Sequence, residues 1–392
     1  MARKFCNSQC KRLESVLANR LLSFGEPALR DNVVPALTVQ RQAVGAAAAG
    51  FRLVAPRAGI QLVTNMPIAA NPRVLLTIAI CTHNRCDLLV DVIDSLFSLR
   101  VPDGMTFEAL VVDNASTDYT RDYVEDRIRR HPGNVRYVPE DKPGLSYARN
   151  HAITAAHGHY IAFVDDDIRF GEDWLAAVFA AVKSWPETEC FGGRVLPVFD
   201  GGRPDWLEPE LLWMYGHIDF GALPCRMVFP RFPFGCNMIF QRTLFDKVGD
   251  FDPRLGRTPF SLLSNEEFHL FYRVNQMGMA VTYLPKALVY HRIPVSRLDP
   301  GWVVRRSFWQ GISGAVSGQL LAPRSRFALL RSALGTVIRL LGEIKGPSWS
   351  PLQIYLRLTR LPVAGRARFA GWIGLAWGKL GLAFGARKHL DP

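Results

Sequence analysis

Three consecutive carboxylates, Asp165-Asp166-Asp167, follow the apolar run HYIAFV at 159–164. In an open parallel sheet ligands gather beyond the carboxyl ends of the strands, so this position puts three acids at a binding edge. Adjacent like charges are unfavourable unless a cation or hydrogen-bond donors compensate them. Mg²⁺ or Mn²⁺, shared between one or two carboxylates and the oxygens of a diphosphate, supplies that compensation. The plainer alternative is a solvated turn with an Asp helix cap. Asp113 stands in the same way after EALVV at 108–112. It could accept hydrogen bonds from a base or ribose, or make an Asx turn or N-cap before the next helix. CTHNR at 81–85, which carries Thr82 and Asn84, could shape a nucleotide pocket or open a helix. His291 ends a further apolar run and, taken alone, reads as a satisfied edge histidine.

The elements that must position these residues are short. VLLTIAI (74–80), EALVV (108–112), NVRYV (134–138) and HYIAFV (159–164) alternate with amphipathic stretches at 86–99, 117–130, 145–156 and 173–185. Runs that are apolar on consecutive residues suit strands covered on both faces, and the stretches between them suit crossover helices. The fold class is therefore α/β, with 74–200 a doubly wound unit on a mostly parallel sheet. Between 186 and 260 Gly, Pro and aromatic residues break this rhythm, predicting an irregular, binding-type region that ends in a strand near 237–240. A helix over about 266–277 and strands near 280–284 and 288–291 complete the same domain.

Composition narrows the possibilities. A chain of 392 residues, 48% apolar and 21% charged, is neither disordered nor collagenous nor a coiled coil. The net charge of +12 is uneven: +7 over 1–73, −5 over 74–310 and +10 over 311–392. A slightly acidic middle argues against a nucleic-acid groove there, because tracking phosphates needs clustered Lys and Arg. The seven cysteines form no CxxC pair and no zinc-module spacing, which suggests reduced thiols. Residues 1–30 show no charged start followed by an apolar core and a small-residue cleavage site, so the expected location is cytoplasmic.

Three segments follow: a poorly ordered basic extension at 1–73, a catalytic-type domain at 74–310, and a basic, amphipathic helical region at 311–392. Lys379 interrupts the apolar stretch 369–386, and no window offers the ~20 uninterrupted apolar residues of a membrane span. Arg and Lys on one face with Trp, Leu and Phe on the other suit helices lying in an interface, drawn to anionic lipid by roughly 1 kcal/mol per basic residue. A helix bundle docked on the domain and a weak true span are the alternatives. The first of the three readings places the protein on the inner face of the cell membrane.

Six motifs in order, TIAICTHNR (77–85), VVDNASTD (111–118), GLSYARNHAI (144–153), FVDDD (163–167), GCNMIFQRTLFDKVGDFDPRLG (235–256) and NEEFHLFYRVNQMG (265–278), resemble the family 2 glycosyltransferases. These are inverting enzymes with the Rossmann-like GT-A fold. The closing VYHRIPVSRLDPGWVVRRSFWQG (289–311) looks like the tail of bacterial members that build surface polysaccharides or glycolipids. The resemblance covers about 74–311. It implies a nucleoside-diphosphate sugar as donor, a glycan or lipid-linked glycan as acceptor, and a DxD pair of Asp165 and Asp167 binding Mn²⁺ or Mg²⁺. Asp167 would be the main metal ligand, Asp165 would lie near ribose and metal, and His291 would approach the diphosphate or metal. Thr82, Asn84, Asp113, Arg149 and Asp166 would help hold the nucleotide sugar.

An inverting transfer needs a carboxylate that takes the acceptor hydroxyl proton as the hydroxyl attacks the anomeric carbon. The family places Asp at the second position of an ED pair; here the pair is Glu266-Glu267. Leu270, Phe271 and Val274 stand at +3, +4 and +7 from Glu267, an inward stripe, whereas Glu266 shares its face with His269 and Arg273. Glu267 is therefore the favoured base. Ser264-x-x-Glu267 also fits a capping box, in which case Glu266 would inherit the role. Phe232, Phe234 and Asn237 could supply an acceptor floor, and Trp309 and Gln310 either approach the nucleotide sugar or open the C-terminal helices. Competing readings are a sugar-phosphate nucleotidyltransferase, for which no Gly-rich triphosphate loop is visible, and a non-catalytic, membrane-associated nucleotide-sugar binding protein. A dinucleotide-dependent dehydrogenase is weaker, since GxGxxG is missing after the first strand.

Overall fold

The computed structural model describes residues 75–130, 134–343 and 359–385; the basic extension expected at 1–73 lies outside them. Strand β1 (Leu76–Thr82) is buried along almost its whole length, as an LTIAICT run covered on both faces must be. It is followed by α1 (Cys86–Phe97), β2 (Phe107–Asn114), α2 (Thr120–Arg130), β3 (Val135–Glu140), α3 (Leu145–Ala155) and β4 (Tyr160–Asp165). β3, β2, β1 and β4 lie side by side and parallel, with helices crossing between them.

Beyond β4 the sheet changes character. β5 (Ile168–Phe170), α4 (Trp174–Ser184), β6 (Cys190–Phe199), β7 (Cys225–Met227), β8 (Met238–Gln241), α5 (Leu244–Val248), α6 (Glu266–Gln276) and β9 (Val281–Ile293) follow in sequence. The full order is β3-β2-β1-β4-β8-β6-β9-β5, with β7 also paired to β9. β8 runs antiparallel to both β4 and β6, so the nine-stranded sheet is mixed. This α/β arrangement with C-terminal helices is the one that the GT-A resemblance implies. The two strands expected near 280–284 and 288–291 are one strand, β9, whose pairing with β6 shifts register between Gly193 and Arg194. Pro285 and Lys286 fall at that irregularity, which explains why the sequence pattern breaks there while the strand continues.

Three long helices close the described chain: α7 (Pro300–Leu321), α8 (Arg326–Glu343) and α9 (Val363–Ala383). The segment boundary expected at residue 310 falls inside α7, which is continuous. Gly374 lies so close to α7 that a Cβ there would overlap the Phe308 carbonyl. Among the described residues no helix is long and apolar enough to cross a membrane. Lys379 is buried between α9 and α8, its Nζ donating to Ser332 Oγ at 2.9 Å.

Candidate active site

The carboxyl ends of β1 and β4 open into a cavity of about 460 Å³. Its walls include Thr82, Arg149, Asp165, Asp166, Asp167, Glu266, Glu267 and His291, so the expected acids, the arginine and the histidine meet in one place. The three aspartates, although consecutive, have different environments. Asp165 is 37% exposed and faces the cavity. Asp166 is buried, accepting from Thr82 Oγ1 at 2.8 Å and from Arg85 Nη1 at 2.7 Å, so both its oxygens are committed to protein. Burial and the adjacent Asp167 push its carboxyl up to about 6 against the pull of Arg85.

Asp167 is also buried, and burial alone would raise it. His291, Arg297 and Arg85 outweigh that term and hold it well below the usual carboxylate range. The strand register explains the histidine: β5 sets Ile168 opposite His291, and Asp167 precedes Ile168. His291 Nε2 lies 3.2 Å from Asp167 Oδ1, while His291 Nδ1 is 2.7 Å from the Tyr215 carbonyl. Since a carbonyl only accepts, Nδ1 carries a proton, and the charge of Asp167 beside Nε2 raises the imidazole's proton affinity against the effect of burial. Asp167 Oδ1 accepts no hydrogen bond.

The second half of the site is built on the N-terminus of α6. Arg149, on α3 and 2% exposed, donates from Nη1 to Glu266 Oε1 at 2.9 Å and from Nη2 to Glu267 Oε1 at 3.2 Å. Its Nη2 also lies 3.7 Å from Asp165 Oδ1. The guanidinium expected to contact the nucleoside is instead engaged by three carboxylates, because α3 aims it at the start of α6. Gly235 N donates to Glu267 Oε1 at 3.1 Å. A side chain at Gly235 would overlap both Arg149 and Glu267.

Glu267 folds onto Arg149 and Gly235, not onto the backbone of Ser264, so the capping box does not form. The Ser264 amide donates to Ser313 Oγ of α7 at 3.0 Å, and Asn265, at φ 78°, caps α6 without a side-chain bond. Glu266, placed by helical spacing on a more polar side, is in fact the more buried of the pair, with His269 buried beside it. Helical periodicity failed there because Arg149 of α3 takes Glu266 and the 248–254 segment meets Arg273 on that face. Glu267 keeps 20% of its side chain open. Burial first, then the charges of Glu266 and Asp165, push its carboxyl up to about 7 despite Arg149. Gln310 belongs to this framework: its amide donates to Asn265 Oδ1 at 2.6 Å. Trp309 packs against the buried Leu255, Leu263, Ile312 and Val316.

Several expected residues stand elsewhere. Asn84, at φ 51°, accepts from the Thr117 amide at 2.7 Å and ties two loops together; its neighbours His83 and Arg85 line the cavity, and it does not. Asp113 accepts from Tyr137 Oη at 2.7 Å and the Ser116 amide at 3.1 Å, the Asx-type alternative, while Asn114 beside it reaches the cavity. Asn237 is fully buried, accepts from Trp174 Nε1 at 3.1 Å and donates to the carbonyls of Ala287 and Arg194. It braces the sheet and has no amide group left for an acceptor. Phe232 and Phe234 pack edge to face at 5.9 Å and stay outside the cavity wall.

The structure also adds residues that motif reading missed: Gly235, Arg257, Arg297, Trp302 and Arg306. Arg297 and Arg306 lie in the quoted closing stretch, but their convergence depends on how β9 and α7 leave the sheet, for which no spacing rule exists. Among the described residues no three His, Cys, Asp or Glu side chains converge on one point as a metal cage; Asp167 and His291 meet, and Asp165 turns to Arg149.

Residues 77–249 match the family described as glycosyl transferase family 2. The chain is similar to a glucosyl-dolichyl phosphate glucuronosyltransferase of Haloferax volcanii, 27% identical over 290 residues that cover 71% of this chain and 90% of that protein. It is also similar to the succinoglycan biosynthesis protein ExoM of Rhizobium meliloti, 24% identical over 65% of this chain and 78% of that one. A solved mannosyltransferase of Pyrobaculum calidifontis overlaps 83% of this chain and 90% of its own, at 20% identity and a TM-score of 0.46. The matched segment and these relatives support the reading of the chain as a family 2 glycosyltransferase.

Proposed function

We propose that the protein transfers a sugar from a nucleoside-diphosphate donor to a hydroxyl of a glycan or lipid-linked glycan, with inversion, and that Glu267 is the general base. One observation carries this reading: a mostly buried carboxylate with one edge open, raised to about 7 and oriented by Arg149 and the Gly235 amide, shares a cavity with the strand-end aspartates. A base with that proton affinity takes a hydroxyl proton efficiently near neutral pH. Arg149 holds Glu267 by one oxygen, leaving the other for the acceptor hydroxyl. The donor's diphosphate belongs at the opposite wall, where Asp165 is open and Thr82 and Arg85 fix Asp166.

A divalent cation is what the family resemblance implies there, and holding one would require Asp165 to turn from Arg149 toward Asp167 and His291. Asp167 Oδ1 and His291 Nε2 lie 3.2 Å apart, and His291 Nδ1 is fixed on the Tyr215 carbonyl. A hydrogen bond from Nδ1 to a backbone carbonyl is the usual support for a metal-binding imidazole. Asp167, His291 and Asp165 would hold Mn²⁺ or Mg²⁺, the remaining positions going to diphosphate oxygens and water. When bound, the ion would neutralise charge developing on the departing nucleoside diphosphate.

We further propose that the C-terminal helices rest on an anionic membrane surface, the inner face of the cell membrane. Phe327, Leu334, Ile338 and Leu341 share one exposed face of α8, and Ile373, Trp377 and Phe384 are exposed on α9 and the residue after it. Exposed Arg331, Arg339 and Arg368 lie on the same two helices. The name of the Haloferax relative, a transferase acting on glucosyl-dolichyl phosphate, supports a lipid-linked acceptor. The test is a donor panel of uridine, thymidine and guanosine diphosphate sugars with and without Mn²⁺ or Mg²⁺, scored for nucleoside diphosphate release. Metal-dependent release of a nucleoside diphosphate is expected; silence across the panel defeats the reading, and release of pyrophosphate would make the protein a nucleotidyltransferase.

A further inference from the structure

Five arginines line the cavity: Arg85, Arg149, Arg257, Arg297 and Arg306. Three have carboxylate partners: Arg85 with Asp166 and Asp167, Arg149 with the two glutamates, and Arg297 with Asp167 at 3.3 Å. Among the described residues, Arg257 and Arg306 have no carboxylate within ion-pair distance. Arg306 donates from Nη2 to Ser264 Oγ at 3.2 Å, but its Nη1 is buried with no acceptor. A buried guanidinium nitrogen left without an acceptor is costly, and two like charges facing one cavity add to that cost. Burial first and Arg257 second pull the Arg306 guanidinium down to about 9. The group still stays charged at neutral pH.

The position of the pair distinguishes the anion that would relieve it. The charges bearing most on Arg306 are Arg257, Glu266, Glu267 and Arg297, with no aspartate of the triplet among them. Arg257 likewise acts on Glu267. Arg306, its Nη2 on Ser264 three residues before Glu267, stands at the start of the helix that carries the proposed base, where the acceptor hydroxyl must lie, and Arg257 acts both on Glu267 and on Arg297, the arginine paired with Asp167. Arg306 also sits on α7, against which α9 packs with its exposed Trp377 turned outward.

We propose that Arg257 and Arg306 form an anion subsite for the phosphate or diphosphate that joins the acceptor sugar to its lipid. This rests on the transferase reading above and deepens it: the site would select acceptors by the charge at the reducing end of the glycan. A guanidinium fork matches two phosphate oxygens at once, which an uncharged lipid glycoside cannot offer.

The test uses the full-length chain and calorimetric titration with farnesyl phosphate, farnesyl diphosphate and uncharged farnesol, and separately with UDP, GDP and TDP in the presence of Mn²⁺. For both Arg306→Gln and Arg257→Gln, affinity for the farnesyl phosphates falls about tenfold or more, the size of a lost charged hydrogen bond. Affinity for the nucleoside diphosphate stays within about twofold. Arg306→Lys keeps part of the phosphate affinity, and melting temperatures accompany every variant. If Arg306→Gln proves unfolded, Arg257→Gln at the exposed rim decides. A parallel loss of nucleoside diphosphate and farnesyl phosphate binding would assign the pair to the donor and overturn the proposal. So would farnesyl phosphate binding that is undetectable in the native protein or unchanged in both variants. If the native protein binds farnesyl phosphate through these arginines but none of the three nucleotides, the transferase reading fails and the subsite stands.

Discussion

Arg149 and Glu267, 118 positions apart in the chain, meet at 3.2 Å in the wall of the cavity. The contact joins α3, beside the parallel half of the sheet, to α6, which carries the proposed base. It also draws in Glu266 and approaches Asp165, so one buried guanidinium organises both ends of the proposed reaction.

Replacing Glu267 by Gln keeps the bonds' shape and removes the base. Turnover falls by about 10²- to 10⁴-fold, the usual worth of a general base, with donor binding retained by calorimetry. Thermal stability does not fall, because a charge that burial disfavours has been removed. Retained turnover in Glu267→Gln combined with its loss in Glu266→Gln would move the role to Glu266.

The raised Glu267 carboxyl gives the pH profile its sign. The base works as carboxylate, so kcat/KM rises with pH through about 7 and levels off above it. For stability the direction is opposite: a folded value above the unfolded one means the native state holds its proton more tightly, and this group's contribution declines as pH rises toward 7. A rate profile measured between pH 5 and 9 checks the first, and the residual rate of Glu267→Gln must lack that limb.

Arg149→Gln leaves two adjacent buried carboxylates without their cation. A loss of about 3–5 kcal/mol in unfolding free energy is expected, typical of breaking a buried ion network by removing one partner. Denaturant titration measures it, and the loss is smaller in the Arg149→Gln, Glu266→Gln double variant because the remaining charges are fewer.

Gly235→Ala places a methyl group where the Arg149 guanidinium and Glu267 carboxylate lie. Displacing the base lowers kcat by about tenfold or more with little change in donor KM, since misplacement of a reacting group acts on the chemical step. Equal losses in kcat and donor affinity would show that Gly235 serves the donor instead.

Trp377→Ala and Phe327→Ala each remove a large exposed ring from the helical face assigned to the membrane. Each weakens partitioning onto phosphatidylglycerol-containing vesicles by about tenfold, from roughly 1.5–3 kcal/mol per buried aromatic side chain. Cosedimentation measures this, and binding must also weaken with salt if the neighbouring arginines contribute. Unchanged partitioning in both variants would count against the surface.

What the sequence determined by itself was local. Consecutive apolar runs located β1, β2 and β4, and the acids that follow the last of them put the Asp165–Asp167 triplet at the binding edge, because burial on both faces writes a strand directly into residue type. The same holds for α6 and its glutamate pair, read from 3.6-residue spacing. Tertiary structure alone decided which polar groups remain available. Asn237 and Asp113 are consumed by Trp174, Tyr137 and backbone partners, Arg149 is taken up by carboxylates from α6 and β4, and Glu266 is buried against Arg149. Arg306, unremarkable in RRSFWQG, is left with a buried Nη1 that has no acceptor. A side chain's freedom to bind a ligand is whatever remains after its neighbours have claimed its hydrogen bonds and charge, and here those neighbours come from distant parts of the chain.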